Sequence, residues 1–165
     1  MAMIGILGGN PTVTATLISQ ICQKERQDTL VHYHKITENN PIPIVSIDEN
    51  TFGLPKVFIL QEATKDVGSL FNNLENDGYL IVNADSRIDF LPAASVITYG
   101  FNGKASVTAS SVADGAIQVC VQRGFKTLGG SDYGPQEFKV EYPADCSPLD
   151  VLGAACACAV CDVLL

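Results

Sequence analysis

Residues 4–19 read IGILGGNPTVTATLIS, and how this stretch is taken decides the fold. Met3 to Leu7 is a short uninterrupted apolar run, the mark of a buried strand. Gly8-Gly9-Asn10 breaks it, and the apolar residues then recur as Val13, Leu17, Ile18 and Ile21, one stripe of a helix over residues 12–24. Asn10 suits an N-cap, and Pro11 stands in the first turn, where a missing N–H costs little. Strand, glycine turn and helix together form the shape that cradles phosphate, because the N–H groups of the turn and of the helix N-terminus converge there. A working loop of that kind carries Gly-Lys-Thr after the turn, whereas this chain has Pro11-Thr12-Val13.

Outward from that turn, strand-like and helix-like runs alternate. TLVHYHKI (29–36) alternates as a strand, ENNPIPI breaks the chain, and PIVSID (43–48) and KVFIL (56–60) are strands again. Residues 62–76, with Val67, Leu70, Phe71 and Leu74 apolar, predict a helix that ends near Asp77-Gly78. YLIVNAD (79–85) and SVITYG (95–100) are two further apolar strands. Beyond residue 100, turn signals at Asn102-Gly103 and Asp114-Gly115 predict antiparallel hairpins. EFKVEY (137–142) reads as another strand, and a last helix covers about residues 148–164. The expectation is a single α/β domain over residues 1–165, with three layers and a mainly parallel sheet flanked by helices.

The bulk composition narrows the partners. Charged residues make up 17% of the 165, below the roughly 25% of an average soluble domain, and 47% are hydrophobic. Some apolar surface is therefore expected to be covered by another copy, as a homo-oligomer. A net charge of −8 argues against a nucleic-acid backbone or an anionic membrane as main partner. The longest apolar stretch, VLGAACACAVCDVLL (151–165), contains Asp162 and falls short of the ~20 residues of a membrane span. MAMIGILGGN has no positive n-region, and six cysteines without a secretory signal suggest reduced thiols in the cytoplasm.

Five segments in order resemble the central, ATP-binding domain of the Mur ligases, which add amino acids to peptidoglycan precursors. GILGGNPTVTATLI (5–18) is similar to that family's phosphate loop and helix, and IDENTFGL (47–54) to the segment that supplies a magnesium-binding acid. SLFNNLENDGYLIVNADS (69–86) resembles the helix and strand ending in Asn-x-Asp, and SVITYGFNGKASVTASSV (95–112) the stretch that opens the antiparallel part. DVLGAACACA (150–159) is similar to the Ala-rich closing helix.

The resemblance implies a P-loop-like plan, with the N- and C-terminal domains of such ligases absent. It puts Thr12 at the position of the phosphate-binding lysine, Val13 at that of the metal-binding hydroxyl and Pro11 at that of the second glycine. It makes Asp48, with Glu49 and Asn50 beside it, the counterpart of the metal-binding glutamate. Val67 stands where many members carry a modified lysine, and Pro148 and Val151 where two asparagines approach adenine. Phosphoryl transfer depends on positioning and charge neutralisation, so these changes imply a degenerate, non-catalytic domain in which Mg-ATP binding is doubtful. Gly8, Gly9, Asn10, Thr12 and Thr14 are the nucleotide or anion candidates that survive around the helix N-terminus. The expected role is a binding or scaffolding module whose partner is itself or a full-length ligase. The alternatives are a ligase subunit completed by another chain and a protein that binds a small anionic ligand.

Two other clusters are open to a metal reading. Cys156, Cys158 and Cys161, with Cys146 upstream, lie on or near the closing helix, where small apolar residues that pack against a sheet explain them better than zinc does. Cys22 and Cys120 show no useful spacing. His32 and His34 share one face of a strand with no third ligand nearby in sequence.

Overall fold

The computed structural model describes residues 3–25, 30–37, 40–46, 55–62, 77–87 and 95–164. Asp48, Glu49 and Asn50, and the predicted helix over 62–76 beyond its first residue, lie outside them. The described elements in chain order are β1 (Met3–Leu7), α1 (Pro11–Lys24), β2 (Leu30–Thr37), β3 (Asn40–Ser46), β4 (Val57–Leu60), β5 (Tyr79–Asn83) and β6 (Ser95–Tyr99). They continue as β7 (Val107–Ala113), β8 (Ala116–Val121), β9 (Phe125–Lys126), β10 (Asp132–Tyr133), β11 (Gln136–Glu141) and α2 (Pro148–Val160).

One nine-stranded sheet runs in the order β11-β8-β7-β6-β5-β4-β1-β3-β2. Its centre is parallel: Ile4 to Leu7 pair with Val57 to Leu60, those four with Tyr79 to Val82, and β5 with β6 in the same sense. Both flanks are antiparallel, with β3 and β2 beyond β1 and with β8 and β11 beyond β7. The α/β class is therefore as the sequence implies, but antiparallel pairing also occupies the N-terminal half.

The alternation of side chains along the parallel strands sorts the core. Ile4 and Ile6, Val57 and Ile59, Ile81, and Ile97 and Tyr99 join one cluster with Leu17, Ile18 and Cys22 of α1 and Val151 to Val160 of α2. The intervening positions, Phe58, Leu60, Leu80 and Val82, form a second buried cluster on the other face. Burial on both faces explains why these strands read as continuous apolar runs. α1 and α2 pack side by side over the first face. The closeness of α2 comes from its small residues: a β-carbon on Gly153 would lie 3.1 Å from the Tyr99 ring.

Two sequence expectations need correction. Of ENNPIPI, residues 38 and 39 lie outside the described residues, but the rest is not a break: Pro41 and Pro43 lie within β3 opposite Lys35 and Tyr33. They stand beyond Ile44 to Ser46, the part of β3 that pairs with β1, so they occupy a stretch bonded on one side only, where proline is tolerated. The turn at Asn102-Gly103 does not close an antiparallel hairpin either, since β6 and β7 meet at the single parallel pair Tyr99 and Val107. The Asp114-Gly115 turn does close one, between Ala113 and Ala116, with Gly115 at φ +71°, a conformation glycine adopts readily.

Gly5 pairs with Phe58 across the β1–β4 ladder, and a β-carbon there would fall inside contact distance of the Phe58 ring. Gly103 has open space around it. Gly5→Ala should therefore lower the unfolding free energy by about 1–3 kcal/mol in urea titrations. Gly103→Ala should stay within about 0.5 kcal/mol of the natural chain.

Candidate functional site

The site grows from the ends of the parallel strands. Odd-numbered residues of β4 and β5 point toward the helices, so the first polar residues past the apolar runs, Gln61 and Asn83, emerge on that same face. Both are buried. The Gln61 amide nitrogen donates to the Thr14 hydroxyl on α1 at 2.8 Å and to an Asp150 carboxylate oxygen on α2 at 2.8 Å. Its main-chain carbonyl accepts from the Asn83 amide at 3.0 Å and from the Ser86 hydroxyl at 3.1 Å. The Asn83 side-chain oxygen in turn accepts from the Asp85 N–H at 2.9 Å. The Asp85 carboxylate takes the N–H groups of Phe101 at 2.6 Å and Asn102 at 2.8 Å, pinning the loop after β6. That clamp explains why Asn102-Gly103 turns without making a hairpin.

The glycine turn after β1 fits around this network. Gly8 and Gly9 have φ values of +77° and +57°, which other L-residues rarely adopt. A β-carbon on Gly8 would lie 2.9 Å from the Glu62 nitrogen, and one on Gly9 would lie 3.0 Å from the Gln61 side-chain oxygen. The glycines are thus needed so that the exit of β1 can press against the exit of β4. Asn10 occupies the N-cap position of α1 without a side-chain cap bond, and Pro11 contributes no N–H. Thr14 is buried, accepts from Gln61 and donates to the Asn10 carbonyl at 3.4 Å. Thr12 is exposed, and its carbonyl accepts from the Thr16 hydroxyl at 2.9 Å.

Between this turn and the start of α2 lies a cleft of about 430 Å³. Of the five turn residues selected from sequence, Gly9 and Asn10 line it, whereas Gly8, Thr12 and Thr14 do not. Its other walls are Gln61 and Glu62, Asn83, Asp85, Ser86 and Tyr99, with Ser147, Leu149 and Asp150 from the opening of α2. Ser147 caps that helix, its hydroxyl accepting from the Leu149 N–H at 3.3 Å. Pro148 takes the first helical position and Val151 points into the core, so neither reaches the cleft.

The cleft is acidic. Glu62, Asp85 and Asp150 line it, and among its described lining residues there is no lysine or arginine. Burial pushes the Asp150 carboxyl above the usual aspartate range, and the charge of Glu62 pushes the same way, while the hydrogen bond from Gln61 opposes both. Burial also pushes the Tyr99 phenol far up, with Cys156, Asp150 and Asp85 adding to it. The Gln61 side chain stands close enough to the phenol to oppose that rise, and the Gln61 side-chain oxygen accepts no hydrogen bond of regular geometry among the described residues.

Sequence reasoning passed over Gln61, Tyr99 and Asp150. Gln61 is a single polar residue at a strand end, and its partners are 47 and 89 positions away. The cysteines also rearrange on folding. Cys22 meets Cys158 thiol to thiol between α1 and α2, a contact that draws the Cys158 thiol upward and Cys22 downward. Cys156 and Cys158 are buried in the helix contact, in keeping with a packing role. Among the described residues, no three His, Cys, Asp or Glu side chains converge to hold a metal ion. No helix among them is long and apolar enough to cross a membrane. The chain matches no model of a known protein family and no curated protein.

Because folding raises the affinity of Asp150 for its proton, its contribution to stability is greatest below the ordinary aspartate pKa. It then declines as pH rises through the folded value. Asp150→Asn keeps an oxygen for Gln61 and removes the titration. Across thermal melts from about pH 3.5 to about pH 7, the natural chain should lose stability relative to Asp150→Asn. A difference that grows in the other direction would show that the carboxylate is stabilised in the fold.

Proposed function

We propose that this chain is a non-catalytic binding module with a plan like the central domain of the Mur ligases. The observation that carries this reading is the chemistry of the glycine turn and of the cleft beside it. In a phosphate loop the turn leaves its N–H groups open to an anion, and a lysine completes the cradle. Here Gly8 and Gly9 lie against Glu62 and Gln61, Pro11 has no N–H, and Thr14 spends its hydroxyl on Gln61 and Asn10. No lysine or arginine stands among the described residues lining the cleft, and three carboxylates do. These residues do not fit Mg-ATP. A nucleotide would meet like charge where it needs neutralisation, and the lost charge-assisted contact alone is worth roughly ten- to a hundredfold in affinity.

The same electrostatics weigh against a small anionic ligand. A ligase subunit completed by another chain would have to receive its phosphate cradle from that chain. Self-association belongs to the proposal too: Phe101 and Val112 are large apolar side chains that stand exposed on the loop after β6 and on β7.

Calorimetric titration of the purified chain with Mg-ATP and with ADP should give no saturable heat up to about 1 mM, weaker than the micromolar-to-millimolar range usual for enzyme substrates. Release of ADP from Mg-ATP by the pure chain would overturn the reading.

A further inference from the structure

We propose that the cleft between the β1 turn and α2 binds a small organic cation that carries N–H donors, an alkylguanidinium or a primary ammonium. The proposal deepens the binding-module reading by naming a ligand class for the same cleft. Its first support is an orphaned polar atom. Gln61 is 4% exposed and lines the cleft, yet its side-chain oxygen accepts no hydrogen bond of regular geometry among the described residues, and the Tyr99 phenol stands beside the same side chain. Buried polar atoms without partners are uncommon in native folds and ask for a ligand or an ordered water.

The orientation of the Gln61 amide is fixed chemically. Both of its N–H groups are spent on acceptors, the Thr14 hydroxyl and the Asp150 carboxylate. A flipped amide would set its oxygen against that carboxylate. The Gln61 oxygen is therefore held as a free acceptor beside Gly9, whose missing side chain leaves it room. The Tyr99 hydroxyl can accept as well as donate.

Charge supplies the second support. Glu62, Asp85 and Asp150 put acidic groups around these acceptors, and the described lining offers no basic side chain to neutralise them. A cationic N–H donor answers both features at once. A metal ion suits the cleft less well, because no three acidic or soft ligands among the described residues converge on one point. At about 430 Å³ the space matches the lower part of the range for small-molecule sites.

The test is calorimetric titration of the full chain with agmatine, which carries a guanidinium and a primary ammonium. Tetramethylammonium serves as the control, having the charge without an N–H. Agmatine should bind saturably, and tetramethylammonium at least about tenfold more weakly. Asp150→Asn should weaken agmatine by about tenfold or more. Tyr99→Phe should weaken it by about tenfold, since it removes a hydroxyl that stands beside the Gln61 side chain in the cleft wall. No saturable agmatine binding would overturn the proposal, as would equal binding of tetramethylammonium or displacement of agmatine by equimolar Mg²⁺. A Tyr99→Phe variant that melts earlier yet keeps its affinity would show that the hydroxyl serves the Gln61 side chain and would overturn its place in the site. Failure here leaves the nucleotide result standing, and ADP release would remove the non-catalytic reading without touching the cation data.

Discussion

At the end of β4, one buried amide joins four elements. Gln61 reaches α1 through Thr14 and α2 through Asp150, and its main chain takes Asn83 and Ser86 at the end of β5. The exit of β1 closes on it as well, since the Gln61 N–H donates to the Leu7 carbonyl at 2.9 Å. Removing such a hub would strand several polar groups at once, and each orphan costs about 1–3 kcal/mol where water cannot follow. The glycine turn, the start of α2 and the loop pinned by Asp85 all take their positions from this point. The cleft is the space that this arrangement leaves on the solvent side.

The same constraint explains why the turn looks like a phosphate loop. In both cases a strand must end, reverse and feed a helix within a few residues, and glycine supplies the conformations. What differs is the chemistry around it. A phosphate loop brings N–H groups and a lysine to the ligand, whereas here Pro11 has no N–H and Gly8 and Gly9 pack their Cα side against Glu62 and Gln61. The acidic rim follows from side chains placed past the ends of three different elements: Glu62 after β4, Asp85 after β5 and Asp150 in the first turn of α2.

Much of the fold was legible locally because local forces dominate there. β1 needed only its apolar run, α1 its four-residue stripe with Asn10 and Pro11, and the β7–β8 hairpin its Asp114-Gly115 pair. Expectations failed where distant contacts overrode a local signal. Pro41 and Pro43 read as breakers, yet β3 tolerates them because β1 does not extend alongside. Asn102-Gly103 reads as a hairpin turn, yet Asp85 captures the backbone of Phe101 and Asn102 and directs the chain elsewhere. At the site, Gly9 and Asn10 were found from the turn itself, while Gln61, Tyr99 and Asp150 carry no motif and come together only in the folded sheet.

A double-mutant cycle between Gln61→Met and Thr14→Val, followed by urea denaturation, tests the central claim most directly. Both changes nearly conserve volume and remove the hydrogen bond from either side. If Gln61 is the hub, the two losses will fall short of additivity by about 1 kcal/mol or more, because the second change finds its partner already gone. Losses that add to within about 0.3 kcal/mol would contradict it, and would mean that the bond from Gln61 to Thr14 does not couple the turn to α1.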